Sequence, residues 1–148
     1  MPQTLSFNLV HIIFSTKDRQ ALIADEISGA LHAYLAGAAR QLDCECFRAG
    51  GMPNHIHLAL RLAPKRAAAN VVSEIKTGSS IRMKQQGVKK FAWQRGYGLF
   101  SVSPADIGKL VRYIETQDAH HRKRSFEDEM RAFYKKYRVE FDERYVWD

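Results

Sequence analysis

Apolar and polar positions along the chain alternate at two periods, and the change of period marks out the elements. Residues 6–16 (SFNLVHIIFST) are rich in β-branched and aromatic side chains and read as a strand. Residues 23–42 carry Ile27, Leu31, Leu35, Ala38 and Leu42 at helical spacing, with Glu26 near the positive end of the helix dipole. Residues 43–48 read as a second strand, 49–53 (AGGMP) as a turn and 54–62 as a third strand, which together make a hairpin. Residues 67–84 form a second helix with Val71, Ile75 and Ile81 apolar, weakened by Gly78, and residues 87–90 form a basic turn. The aromatic segment 91–102 contains Gly96 and Gly98, and its last part reads as a fourth strand. Ser103 then supplies an N-cap and Pro104 a first helical position for a third helix reaching to about His121, and residues 126–137 suggest a short further helix.

The order β-α-β-β-α-β-α predicts an α+β fold, a ferredoxin-like or RNA-recognition-motif-like antiparallel sheet with two helices on one face. The additional C-terminal helix must then cover the open face or dock on another subunit. A length of 148 residues with 45% hydrophobic content predicts one domain spanning 1–148. The sequence holds no internal repeat, no low-complexity segment and no apolar run near the ~20 residues of a membrane span. Its first residues lack the pattern of a signal peptide, which gives a cytoplasmic protein as the expectation. A disulfide between Cys44 and Cys46 would be strained, and both read as small strand residues rather than as ligands. The net charge of +7 points to a polyanionic partner, nucleic acid first and an anionic membrane second.

Charge narrows the partner but not the chemistry, which two short patterns supply. In the third strand, His55, His57, Ala59 and Arg61 share one face, and Ile56, Leu58 and Leu60 the other. The apolar face should meet the two helices, which leaves both imidazoles on the opposite side with small Ala59 beside them. Taken alone, a His-x-His pair reads more readily as chance surface residues than as a metal site. In the third helix, Ile107, Leu110, Val111 and Ile114 form an apolar stripe, flanked by Asp106, Tyr113, Gln117 and His120 in a sector roughly 60° wide. By pattern alone, a boundary role for Tyr113 and a solvated Gln117 are the favoured readings.

These segments, in order, resemble the IS200/IS605-type transposases, single-tyrosine members of the HUH endonucleases. The residues that carry the likeness are HIIFSTK at 11–17, MPNHIHL at 52–58, WQRGYGLFSVS at 93–103, VRYIETQ at 111–117, the pair His120-His121 and SFEDE at 125–129. Ile56 supplies the hydrophobic residue that the family has between its two histidines. The resemblance implies that His55 and His57 are metal ligands, Gln117 the third protein ligand and Tyr113 the nucleophile, with Mg²⁺ or Mn²⁺ as the metal. Imidazole is not a preferred ligand of Mg²⁺, so DNA phosphate oxygens are expected to complete such a site.

The activity so implied is a metal-dependent single-stranded DNA transposase that cleaves and rejoins hairpin-bearing element ends through a 5′-phosphotyrosine. It further implies a homodimer with shared active sites. Candidate DNA-binding residues are Lys65, Arg66, Arg82, Lys84, Lys89, Lys90 and Arg95, with Phe91, Trp93 and Tyr97 as stacking options for which core packing is the favoured reading. Gly108 would ease movement of the third helix or simply fit a close contact. Three other readings are a domesticated relative acting on repetitive palindromes, a non-catalytic binder and a hydrolase without a covalent intermediate. The second suffers from the lack of aromatics on the His55 face of its strand. Residues 138–148 have no role that the sequence alone assigns.

Overall fold

A computed structural model describes residues 2–117 and 123–148. Four strands, β1 (Asn8–Ser15), β2 (Glu45–Met52), β3 (His55–Leu62) and β4 (Gly98–Ser101), form one sheet in the order β2-β3-β1-β4. Every neighbouring pair is antiparallel. Helices α1 (Asp25–Gln41) and α2 (Ala68–Gln85) are the two connections that carry the chain from β1 to β2 and from β3 to β4. The ferredoxin-like arrangement therefore holds.

One face of the sheet is the main core. Val10, Ile12 and Phe14 of β1 and Ile56, Leu58 and Leu60 of β3 pack with Leu31, Leu35 and Ala39 of α1 and Val71, Val72 and Ile75 of α2. Each of these side chains larger than alanine, removed from water, contributes roughly 1.5–3 kcal/mol before entropy is counted.

The other face is also covered. Helix α3 (Ile107–Glu115) lies against β2 and β3, and α4 (Phe126–Tyr137) adds a second cluster in which Ile13 and Phe100 meet Phe126, Met130 and Tyr134. The leftover helix of the sequence reading thus packs on the open face of its own chain. His55, His57 and Ala59 are consequently as buried as the leucines behind them, at 0% exposure. Ser103 caps as expected, its hydroxyl accepting from the Ala105 N–H, and Pro104–Asp106 makes a 3₁₀ turn that leads into α3. The expected extension of α3 to His121, with His120 on the Tyr113 face, lies outside the described residues beyond Gln117.

One reading changes. The glycines expected in a turn belong to β2, which continues through Gly50 and Gly51 to Met52, so that only Pro53 and Asn54 make the turn. The reason is packing. A Cβ on Gly50 would stand 2.7 Å from Ile114 Cγ2, so the bare backbone is what lets α3 approach the sheet. Gly51 has φ +155°, and a Cβ there would fall onto the His55 carbonyl oxygen. Phe91 and Trp93, for which core packing is favoured over base stacking, are core residues at 1% and 8% exposure, with the Trp93 indole N–H donating to Ser79 Oγ at 2.9 Å. Burial on the α2 side leaves neither ring a face to offer. Tyr97 stays exposed.

Residues 138–148 fold back as a strap. Val146 and Trp147 pack beside α4, and the Asp148 carbonyl accepts from the Gly96 N–H at 2.8 Å. Trp147 lies between two guanidiniums, with Arg19 and Arg131 5.6 and 5.3 Å from its ring centre.

Candidate active site at the junction of sheet and C-terminal helices

The site is built from β1, β3, α3 and α4. Alternation along β3 puts His55 and His57 on one face, and their ring centres are 5.1 Å apart. Each ring is oriented through its Nδ1. That of His55 lies 2.7 Å from Asn54 Oδ1, and that of His57 lies 2.8 Å from His11 Nε2, contributed by β1. The His55 ring also stacks on Phe126 at 4.4 Å. Such second partners fix ring orientation and tautomer. In neutral rings with Nδ1–H donated, both Nε2 atoms present lone pairs to the space between the strand and the helices.

Gln117 and Glu129 close that space. Gln117 Nε2 donates to the Tyr113 carbonyl at 3.2 Å, which turns Gln117 Oε1 toward His55 Nε2, also at 3.2 Å. The amide oxygen and the unprotonated Nε2 of a neutral His55 are both acceptors, and a cation between two acceptors relieves their repulsion. Glu129 Oε1, from α4, is 3.4 Å from His57 Nε2 and 3.7 Å from His55 Nε2. His55, His57 and Glu129 together offer ligand atoms within 4.8 Å of one another, all fully buried. His57 Nε2 has no hydrogen-bond partner among the described residues. A buried lone pair in that state is costly unless something binds it. The donor set of two imidazoles and a carboxylate, with an amide oxygen adjacent, fits a divalent cation, and suits Mn²⁺ better than Mg²⁺.

Tyr113 stands at the rim. Its hydroxyl donates to Glu129 Oε2, and its ring lies 5.8 Å from that of His57 and 6.2 Å from that of His11. Burial, then the charge and hydrogen bond of Glu129, push the phenol well above the ordinary tyrosine value, while Arg124 acts the other way through its charge and a hydrogen bond. Burial, with the neighbouring His57 next in size, holds His11 well below the ordinary histidine value.

The structure thus brings together Tyr113, His55, His57 and Gln117, all four named by the sequence reading. It adds three residues that were given no role, His11, Arg124 and Glu129. Glu129 had a visible signal. It falls on the stripe Phe126, Met130, Phe133 and Tyr137, the face of α4 that should be apolar, where a carboxylate is anomalous. The seven candidate DNA-binding residues lie elsewhere. Lys65 pairs with Asp43 at 3.0 Å, Arg66 donates to Asn70 Oδ1 at 3.2 Å, and Arg82, Lys84, Lys89, Lys90 and Arg95 are exposed in or after α2. None lines the cavity next to Tyr113. That cavity instead meets Lys109, Arg124 and Lys136.

Comparison with known proteins gives this geometry its context. The family model described as Transposase IS200 like matches residues 6–117. The ISDra2 transposase TnpA of Deinococcus radiodurans is 28% identical over 114 residues, spanning 72% of this chain and 81% of that protein. A crystal structure of a protein put forward as a transposase, from D. radiodurans R1, superposes with a TM-score of 0.63 at 25% identity, over 79% of this chain and 95% of that one. A REP-associated tyrosine transposase, solved bound to a REP hairpin, shares the fold with a TM-score of 0.60 at 16% identity, over 82% of this chain and 74% of that one. The family match runs up to Gln117, so Arg124 and Glu129 lie beyond it. With three quarters of its length matched, from before β1 to two residues past the helix that carries Tyr113, the chain belongs to the IS200-like, single-tyrosine transposase family.

Proposed function

We propose that this chain is a metal-dependent single-stranded DNA transposase that cuts and rejoins strands through a covalent bond to Tyr113. The observation that carries the reading is a single buried carboxylate, Glu129, which accepts the Tyr113 hydroxyl on one oxygen and faces Nε2 of both histidines with the other. A nucleophile and a cation-binding cluster are thereby held side by side.

A divalent cation held by His55, His57 and Glu129, with Gln117 alongside, would supply charge neutralisation at a phosphodiester. The chain's own residues do the rest. Tyr113 attacks phosphorus in line, a Tyr O–P bond forms, the P–O3′ bond breaks and the 3′-oxygen leaves as a hydroxyl. The result is a 5′-phosphotyrosine and a free 3′-hydroxyl, and attack by a 3′-hydroxyl on that link reverses the step without ATP. The phenol is a poor nucleophile while protonated. Glu129 is placed to accept its proton and Arg124 to stabilise the oxygen anion, which gives the two residues complementary duties at one atom.

The substrate we propose is single-stranded DNA with hairpins near the element ends, and the place of action the cytoplasm. The exposed Lys65, Arg82, Lys84, Lys89, Lys90 and Arg95, with half-buried Arg66, are offered to hairpin phosphates. A homodimer remains part of the proposal. Because Tyr113 already stands beside the histidines of its own chain, each site can be assembled within one subunit. Mixed dimers of a His55→Ala, His57→Ala subunit with a Tyr113→Phe subunit are then expected to stay inactive, and recovered activity would establish sites shared between subunits.

The overall reading is tested with labelled oligonucleotides from both strands of the DNA flanking the gene, incubated with protein and Mn²⁺ or Mg²⁺ and run on a denaturing gel. A covalent adduct on one strand only, absent with chelator and in Tyr113→Phe, is the expected result. Cleavage that survives Tyr113→Phe would mean a hydrolase with no tyrosine intermediate.

A further inference from the structure

Next to Tyr113 the surface opens into a cavity of about 450 Å³, bounded by the β4–α3 connection, α3 and α4. That volume lies in the ~300–1,000 Å³ range of small-ligand sites. Its inner wall is chemical, formed by the Tyr113 ring and by buried His11. Its cations come from three separate stretches of chain: Lys109 on α3, Arg124 ahead of α4 and Lys136 near the end of α4. One carboxylate, Asp106, also lines it, 3.9 Å from Lys109 Nζ. Partly exposed Phe133 gives an apolar wall, its ring edge-on to His11 at 5.2 Å and to Tyr113 at 6.1 Å. Two of the cations also bear on the site's own residues. Arg124 hydrogen-bonds the Tyr113 phenol, and the charge of Lys136 is felt at His11.

Among the described residues, three cations against one acid, an aromatic wall and a nucleophile at one end describe a receptor for an anion that carries a flat apolar group. We propose that this cavity is a nucleotide subsite, holding one nucleotide adjoining the phosphodiester presented to Tyr113, with Lys109 and Lys136 on its phosphates and Arg124 shared between phosphate and phenol. The proposal rests on the reading of the chain as a tyrosine nuclease and adds where the single strand is gripped. The grip falls on the α3–α4 side of the sheet, opposite the layer that carries Arg82 and Lys84. It also gives α4 a reason to be basic at its C-terminal end, where Lys135 and Lys136 follow the aromatic run.

The probe is 3′-fluorescein-labelled dT12, titrated by anisotropy in EDTA at several salt concentrations. This measures binding in the absence of metal and of cleavage. In Lys109→Glu and in Lys136→Glu, affinity is expected to fall about tenfold or more, and the slope of log affinity against log salt to shrink by about 0.7 for each lost phosphate contact. Lys136→Arg should retain binding, and Arg40→Glu, on α1 at the other face, should stay within about twofold of wild type. Millimolar dTMP should displace dT12 from the wild type. Far-UV circular dichroism controls for folding.

Unchanged dT12 affinity in both lysine-to-glutamate variants would overturn the subsite while leaving the Tyr113 adduct, and hence the nuclease reading, intact. Binding of dTMP without binding of dT12 would overturn it in favour of a pocket for free nucleotides. No dT12 binding by the wild type, together with no adduct, would remove both readings at once.

Discussion

Glu129 is the residue on which the site turns, because one buried carboxylate serves two neighbours. Replacing it with Gln keeps the shape and removes the charge. Mn²⁺ affinity is expected to fall at least about tenfold, since ligand charge count sets affinity in oxygen-donor sites. At a Mn²⁺ concentration a hundred times the wild-type Kd, ligand-linked stabilisation would then drop from about 2.7 to about 1.4 kcal/mol. Thermal melts with and without Mn²⁺ read this directly, and an unchanged melting shift would exclude Glu129 from the metal site. At this scale the sequence was legible in part. Through the family resemblance rather than by pattern alone, His55 and His57 on one strand face, and Tyr113 and Gln117 on one helix face, stand out as site residues. His11 does not, because its importance comes from a strand pairing that puts β1 beside β3 and brings its Nε2 to His57. Arg124 could not be told from any other surface arginine without the position of the Tyr113 ring. The basic residues picked from the sequence were chosen by clustering along the chain, which says nothing of which face they occupy.

Elements were easier to read than their contacts. The periodicity of α4 located Phe126–Tyr137 as found, and Ser125 caps it by accepting from the Asp128 N–H at 3.2 Å. The ends of α1 and α2 fall within about two residues of expectation, the usual uncertainty at helix termini. The miss at Gly50 and Gly51 is instructive. Glycine pairs mark turns when nothing else is known, but here a helix crosses the strand and needs the missing Cβ. Gly50→Ala is therefore expected to destabilise the fold by about 1–3 kcal/mol through overpacking against Ile114. Ile114→Ala alone should cost about 2–5 kcal/mol as a buried truncation. The double variant should lose less than the sum, because the alanine Cβ then meets space rather than Ile114 Cγ2. Urea unfolding of the four proteins makes the cycle. Strict additivity would show that α3 does not rest on Gly50 as described.

Across the whole molecule, the C-terminal strap and α2 meet at one lysine. Lys76 Nζ donates to the carbonyls of Gln94, Arg95 and Gly96 at 2.6, 3.0 and 2.9 Å, in the segment whose Gly96 N–H holds the Asp148 carbonyl. Burial pushes its ammonium down to about 8 from the ordinary 10.5. Between those values the unfolded chain holds the proton and the folded chain has released it. Stability from this group therefore rises with pH across that window, and the cost of burying the charge is fully present below it. The difference in urea midpoint between wild type and Lys76→Met should accordingly move in favour of wild type from pH 8 to pH 10.5, and a constant difference would contradict the burial argument. The sheet order and the covering helices place Tyr113 against the histidines within one chain, and that chain belongs to the IS200-like transposase family. The most direct measurement is peptide mapping by mass spectrometry after reaction with a flanking single-stranded oligonucleotide and Mn²⁺. A nucleotide-phosphate mass on the peptide containing Tyr113, joined through the tyrosine oxygen, is the expected result. Cleaved DNA with that peptide unmodified, or with the adduct on another residue, would contradict the account.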